Sequence, residues 1–173
     1  MTLDELNAMD TVMAATVLRS CCGASRWVTA MVAGRPYASF DALAAAADAA
    51  WRSTGPDDWH EAFAHHPRIG ERRADGRTSA RARAWSEREQ ASANTADAAT
   101  RAALTRANQD YEARFGHIFL VNAAGKSAED ILAALRQRMT SDPERELAVA
   151  AEEQRNITQR RLRGLLDTGE ASP

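Results

Sequence analysis

The sequence predicts an all-α protein, a single compact domain of several helices. Two observations carry that expectation. Helix-cap signals, a Ser, Thr or Asp and in two cases an acid three residues later, open one segment after another. The one stretch with strand-like β-branched content, residues 117–121, has no second strand to pair with. With 173 residues, the chain suits one domain of roughly 100–200 residues. A chain of that size buries enough apolar surface to need no staple. The domain is expected to span residues 1–173, with about 167–173 as a frayed tail.

Each element follows from its local chemistry. Thr2 and Glu5 have capping-box spacing and open a short first helix. Asp10 caps a second, which runs to Cys22 and stops at Gly23. Ser25 is placed to cap a third, carrying Trp27, Val28 and Met31 and ended by Gly34 and Pro36. Ser39 opens an alanine-rich helix with Phe40, Leu43 and Trp51, closed by Gly55-Pro56. Alanine has the best intrinsic helix propensity, so this segment needs little tertiary help. A short helix from about Asp57 holds Trp59 and Phe63 and then meets Pro67. The residue before a proline is pushed out of the helical region, so His66 falls at a helix end or in the turn beyond. Residues 68–79, rich in Gly, Arg and polar groups, read as a loop of the length that often carries function.

Helical signals resume near Ala80 and continue to Ser92. A long helix is expected from Thr95 to Phe115, ended by Gly116, and residues 117–121 then read as a buried connector. Ser127 with Asp130 resembles a capping box for a helix through Met139. Asp142-Pro143 pairs an N-cap with proline at the first helical position, opening a final helix toward Leu166.

Composition narrows the function. The formal net charge is −2 with 27% charged residues, so no basic field is available for phosphate-rich partners, which argues against nucleic-acid binding. The longest apolar stretches fall far short of the roughly 20 residues that a membrane span needs. Residues 1–6 carry two acids and no basic region, unlike a signal peptide. The only cysteines, Cys21 and Cys22, are adjacent. Neighbouring cysteines rarely close a disulfide, and two thiolates alone do not make a zinc site. Idle thiols in a reducing compartment are expected, and the protein is read as cytoplasmic.

Few residues stand out as chemistry. His66 lies between a helix end and a loop, and an imidazole exchanges a proton near neutral pH. His60, His65 and His66 are poorly spaced as metal ligands on a helix, with no acid evident behind them, so no metal is expected. Ser86, Glu89 and Gln90, at i, i+3 and i+4, share one helical face. In the last helix, at about 100° per residue, Leu147, Ala151, Gln154, Thr158, Arg161 and Leu165 fall on one arc, whereas Arg160 and Arg163 point away. Arg161 therefore faces inward, where a guanidinium needs a structural carboxylate or an anionic or carbonyl-rich ligand.

Five motifs then stand in order: His66-Pro67-Arg68-Ile69-Gly70-Glu71; Ser86-x-x-Glu89-Gln90; Asn108-x-x-Tyr111-x-x-x-Phe115-Gly116-x-x-Phe119; Gly125-Lys126-Ser127 before Ile131-Leu132; and Ile157-Thr158 leading to Arg161-Leu162. Their order and spacing resemble the 2-oxo-4-hydroxy-4-carboxy-5-ureidoimidazoline (OHCU) decarboxylases of urate degradation, over residues 6–166. The resemblance implies an all-α homodimer with no metal or organic cofactor. It also implies an unstable ureidoimidazoline as substrate and S-allantoin and carbon dioxide as products. By position, His66 matches the catalytic histidine. Ser86, Glu89, Gln90 and Arg161 match substrate-binding groups, Pro67 shapes the pocket, and the backbone of Phe119, Leu120, Val121, Asn122 and Ala123 lines it. Two other functions remain open to these residues: a related decarboxylase or hydrolase of another ureide, and a non-catalytic helical interaction module.

The shared face yields a first prediction. Glu89→Gln costs more activity than Glu87→Gln, because the two residues lie about 200° apart on one helix. Allantoin formation followed by circular dichroism checks it, and equal activities of the two variants would mean that the face is misread.

Overall fold

Most helices begin where a short polar side chain takes up the first free backbone N–H groups. The computed structural model describes residues 1–69, 80–89 and 96–166, with nine helices and no strand among them. Thr2 and Glu5 close a reciprocal capping box on α1 (Leu3–Ala8). Asp10 accepts from the Met13 N–H at 2.9 Å to start α2 (Thr11–Cys21). Ser39 accepts from the Ala42 N–H at 3.1 Å to start α4 (Phe40–Arg52). The turn after α4 leads into α5 (Pro56–Phe63), and α6 covers Ala80–Glu89. Asp97 caps α7 (Ala98–Phe115), three residues beyond the start expected at Thr95. Ser127 and Asp130 form the expected capping box on α8 (Ala128–Arg138). Asp142 accepts from the N–H groups of Glu144 and Arg145 at the head of α9 (Pro143–Leu166).

One cap differs from expectation. Ser25 is the first residue of α3 (Ser25–Ala33), and the cap position is Ala24, which makes no side-chain cap bond. Ser25 instead gives its N–H to Glu61 Oε2 at 2.8 Å and its hydroxyl to Glu61 Oε1 at 2.5 Å. A carboxylate meets the exposed N–H groups and positive dipole end more strongly than a neutral hydroxyl does. The acid that caps α3 comes from α5, far along the chain. The loop expected over 68–79 lies outside the described residues from position 70 onward, as do the continuation of α6 to Ser92 and the tail over 167–173.

The chain divides into two compact units, Met1–Glu61 with Arg155–Pro173, and Ala62–Gln154. In the first, Leu6, Leu18, Trp27, Met31 and Leu43 are fully buried. The Trp27 indole donates to the Ala47 carbonyl at 3.0 Å, tying α3 to α4. Asp48 of α4 receives Arg155 at 3.1 Å and Gln159 at 2.7 Å, which docks the end of α9 on that helix. No described helix is long and apolar enough to cross a membrane.

The second unit has its own core, with Ile69, Leu104, Tyr111, Phe119, Ile131 and Leu135 at its centre. Gly116, at φ +75°, closes α7 in a left-handed conformation that disfavours other residues. The chain then runs without helix or strand through residues 117–123, mostly buried, which includes the connector expected over 117–121. A buried segment of this kind has no ladder for its polar backbone groups, so side chains must supply the partners. Arg138 donates to the Leu120 carbonyl at 2.7 Å, Glu153 accepts from the Asn122 N–H at 2.7 Å, and Lys126 donates to the Asn122 carbonyl at 2.8 Å.

Arg138 also donates to the fully buried Glu146 at 2.6 Å and lies 4.7 Å over the Phe119 ring. Glu146 accepts from the Tyr111 hydroxyl as well. Burial and that bond to an acceptor carboxylate push the Tyr111 phenol well above its usual range, so it stays a donor. Arg138→Ala should therefore destabilise the fold by about 3–5 kcal/mol, since it strands a buried carboxylate. Tyr111→Phe, which removes one neutral donor to that carboxylate, should cost less, about 1.5–3 kcal/mol. Denaturant unfolding of both variants tests this ranking, and an unchanged midpoint for Arg138→Ala would refute it.

Candidate active site

The turn that carries His66 is fixed from both ends. After α5, the His65 N–H donates to the Ala62 carbonyl at 3.1 Å and the His66 N–H to the Phe63 carbonyl at 3.0 Å. Pro67 then prevents a further helical turn. On the far side, Arg68 grips Glu112 of α7 with Nε at 2.5 Å and Nη2 at 2.8 Å. The Ile69 carbonyl accepts from Asn108 Nδ2 at 3.1 Å, and the Ile69 side chain enters the core of the unit. His66 and Pro67 stay half-buried, so the imidazole is held yet reachable.

On α6 the expected face is visible where side chains are described. Ser86 is buried at 3% exposure, while its neighbours Glu87 and Arg88 are exposed. Glu89 is the last residue of the helix, and its side chain and Gln90 lie outside the described residues. In the connector, Phe119, Leu120, Val121 and Ala123 are buried and Asn122 is half-buried. Phe119, Val121 and Ala123 share one core with Ile69, three residues past His66. The structure thus brings the end of the histidine turn and the connector into a single packed cluster. Three polar backbone groups of that connector, at Leu120 and Asn122, are already held by Arg138, Glu153 and Lys126.

Arg161 belongs to the first unit, as does its near neighbour on the helix face, Thr158. Both are 4% exposed, Gln154 of the same face is fully buried, and Arg160 and Arg163 are exposed, as the phasing predicts. Arg161 Nη1 lies 3.5 Å from the Ser20 carbonyl, among the last carbonyls of α2. A cation there meets the negative end of the helix dipole. Next to it, Cys22 is buried and its thiol is pushed up to about 12, chiefly by desolvation. Hydrogen bonds from the Ala24 backbone and Thr158, and the nearby Arg161 charge, only partly oppose this. Both cysteines are buried, and they form no disulfide. Among the described residues, no three His, Cys, Asp or Glu side chains group as metal ligands would.

Sequence reasoning missed the groups that hold these parts in place. Asn108 and Glu112, one turn apart on α7, bind the chain after His66, and Arg138 with Glu146 supports the connector. Asn108 stood within a motif, but nothing in its spacing announced a bond to residue 69.

The model of the family described as OHCU decarboxylase matches residues 7–163. The chain belongs to the OHCU decarboxylase family. It is 33% identical over 142 residues, 82% of its length, to the uric acid degradation bifunctional protein TTL of Arabidopsis thaliana, covering 44% of that protein. It is 35% identical over 80 residues to a 2-oxo-4-hydroxy-4-carboxy-5-ureidoimidazoline decarboxylase of Amia calva, covering 46% of each. The matched stretches therefore span less than half the length of these curated relatives. Among solved structures, a crystal structure of OHCU decarboxylase in the presence of (S)-allantoin superimposes with a TM-score of 0.73 at 28% identity, covering 86% of this chain and 95% of that one.

As a member of this OHCU decarboxylase family, the chain offers a direct test of its buried arginine. If Arg161 serves a ligand, Arg161→Lys folds normally yet loses much activity, because an ammonium lacks the planar fork of donors. If it serves a buried carboxylate, Arg161→Ala loses about 3–5 kcal/mol of stability. Arg160→Ala, on the exposed face, should be nearly silent. Thermal melting beside an allantoin assay separates the cases. A badly destabilised Arg161→Ala with a fully active Arg161→Lys would remove Arg161 from the site.

Proposed function

We propose that the chain decarboxylates 2-oxo-4-hydroxy-4-carboxy-5-ureidoimidazoline to S-allantoin and carbon dioxide, without metal or organic cofactor, in urate degradation. The observation that carries this assignment is the family match, which runs across both units with His66 directly before Pro67. It also favours treating residues 1–173 as one functional domain. The half-buried turn around His66 supports a role in proton transfer, because the imidazole is anchored through its backbone and not sealed from substrate. Buried cysteines without a disulfide fit a reducing cytoplasm, and a homodimer is the assembly that the family resemblance implies.

The chemistry suits such groups. Breaking the bond to the carboxylate leaves an electron pair on the ring carbon. Many enzymes move such a pair into a cofactor sink, but this substrate has a conjugated imine and carbonyl of its own. The protein is left to orient the ring and stabilise the charge. In this scheme Glu89 accepts from ring or ureido N–H groups, with Ser86 beside it. Gln90 and Arg161 donate to the oxygens where negative charge builds up. Pro67 and the backbone of residues 119–123 shape the cavity. The electron pair passes into the adjacent imine, whose nitrogen is protonated. The hydroxyl on the decarboxylated carbon then gives up its proton to become a carbonyl as His66 delivers a proton to the neighbouring ureido-bearing carbon, and delivery to one face yields one enantiomer.

In an assay started from urate with urate oxidase and the hydrolase, His66→Ala and His66→Asn should abolish the enzymatic step while the protein stays folded. His65→Ala should keep substantial activity, and wild-type turnover should survive exhaustive chelation. Full activity in either His66 variant, or equal loss from His65→Ala, would overturn the role of His66. Loss of turnover on chelation that zinc or manganese restores would overturn the cofactor-free mechanism.

A further inference from the structure

We propose that Glu112 and Asn108 of α7 are positioning residues for His66, acting through Arg68 and Ile69; this rests on His66 being the proton donor. On its N-terminal side the His66 N–H is tied to the end of α5, at the Phe63 carbonyl, 3.0 Å away. Phe63 is itself buried at 1% exposure and packs its ring 5.4 Å from that of His117. On the C-terminal side Pro67 has no N–H to give. The hold comes from α7. Glu112 takes the Arg68 guanidinium by two parallel bonds, and Asn108, buried at 3% exposure, takes the Ile69 carbonyl.

The two α7 residues lie at i and i+4, so they stand one above the other on one helix face. Their targets, Arg68 and Ile69, are consecutive. Four residues, 66–69, are thus stretched between a rigid helix end and a rigid helix face. Two different types of bond hold the far end. The ion pair fixes direction, since a guanidinium and a carboxylate joined by two bonds permit little rotation. The amide fixes distance, since it engages the backbone itself. Without both, the imidazole would keep its chemistry and lose its place.

A general acid displaced by about 1 Å can lose on the order of a hundredfold in rate. Glu112→Ala and Asn108→Ala should therefore lower kcat by about ten- to a hundredfold and leave KM near that of the parent. Arg68→Lys should also lose rate, because a lysine cannot span both carboxylate oxygens. The exchange Arg68→Glu with Glu112→Arg should recover a substantial part of the loss, and Asp110→Asn, on the exposed side of α7, serves as control. Melting curves accompany each variant. Losses of rate that only follow a loss of folded protein, or an unchanged kcat in both Glu112→Ala and Asn108→Ala, would overturn the proposal.

A second measurement does not depend on turnover. In protein labelled with nitrogen-15 histidine, the His66 imidazole signals are those missing from His66→Gln. They should shift or broaden in Glu112→Ala and return toward the parent in the exchange variant, while the His60 signals stay put. Identical His66 signals in parent and Glu112→Ala would refute positioning even if His66 is essential. Turnover that survives His66→Gln would refute the role of His66 itself, and the imidazole signals would still decide whether α7 holds the turn.

Discussion

The second unit depends on one guanidinium. Arg138 is the point at which a buried carboxylate, a phenol, an aromatic face and a backbone carbonyl all meet. Remove it, and Leu120 keeps a carbonyl away from water with no donor, while Glu146 keeps a charge with no counter-charge. Each is costly alone. Together they explain why a segment that is neither helix nor strand can run through the interior: residues 117–123 borrow the partners that a ladder would otherwise supply. Phe119, Val121 and Ala123 can then pack with Ile69, which sets the depth of the chain just beyond the histidine turn.

The same economy recurs elsewhere. Helix α7 holds the chain at residues 68 and 69, α4 receives the end of α9 through Asp48, and α5 caps α3 with Glu61. At residues 68 and 69 and at the start of α3, a charged or amide side chain on a regular helix fixes a place where the backbone is irregular or a helix begins, whereas Asp48 joins two regular helices. His66 lies beside one such place, the chain at residues 68 and 69. For a reaction whose substrate carries its own electron sink, geometry is most of what a protein can add, and rigid helices are a suitable source of it.

How much of this is legible in the sequence follows from the range of each interaction. The caps at Thr2, Asp10, Ser39 and Ser127 could be read because donor and acceptor lie within a few residues. Ser25 has the same local signal, yet its partner is Glu61, 36 residues away, and no window centred on Ser25 contains it. The inward direction of Arg161 was also legible, since helical phase is a local property that the burial of Gln154, Thr158 and Leu165 follows. What Arg161 meets at the end of α2 was not. Nor were Arg68 with Glu112 or Arg138 with Leu120: a charged residue on a helix face has the same sequence signature whether its partner is water or a carboxylate 44 positions away. The motifs pointed to His66, Ser86 and Arg161, while the supports behind them needed three-dimensional contacts. Glu89 and Gln90 remain assigned by motif and helical phase.

The first unit is discontinuous, and that has a consequence for how the chain is made. Its opening helices leave the ribosome first, but Asp48 and the Ala44 carbonyl find Arg155 and Gln159 only after more than a hundred further residues. The unit from Ala62 to Gln154 is one uninterrupted stretch and can complete its core while the opening helices still lack their last partner. Closing long loops is the slow part of folding. Helices α1 to α4 therefore pass through synthesis with an apolar face uncovered, and the alanine-rich α4, least dependent on tertiary support, is the segment best able to wait. A nascent chain stalled before residue 155 would hold one finished core and one open one.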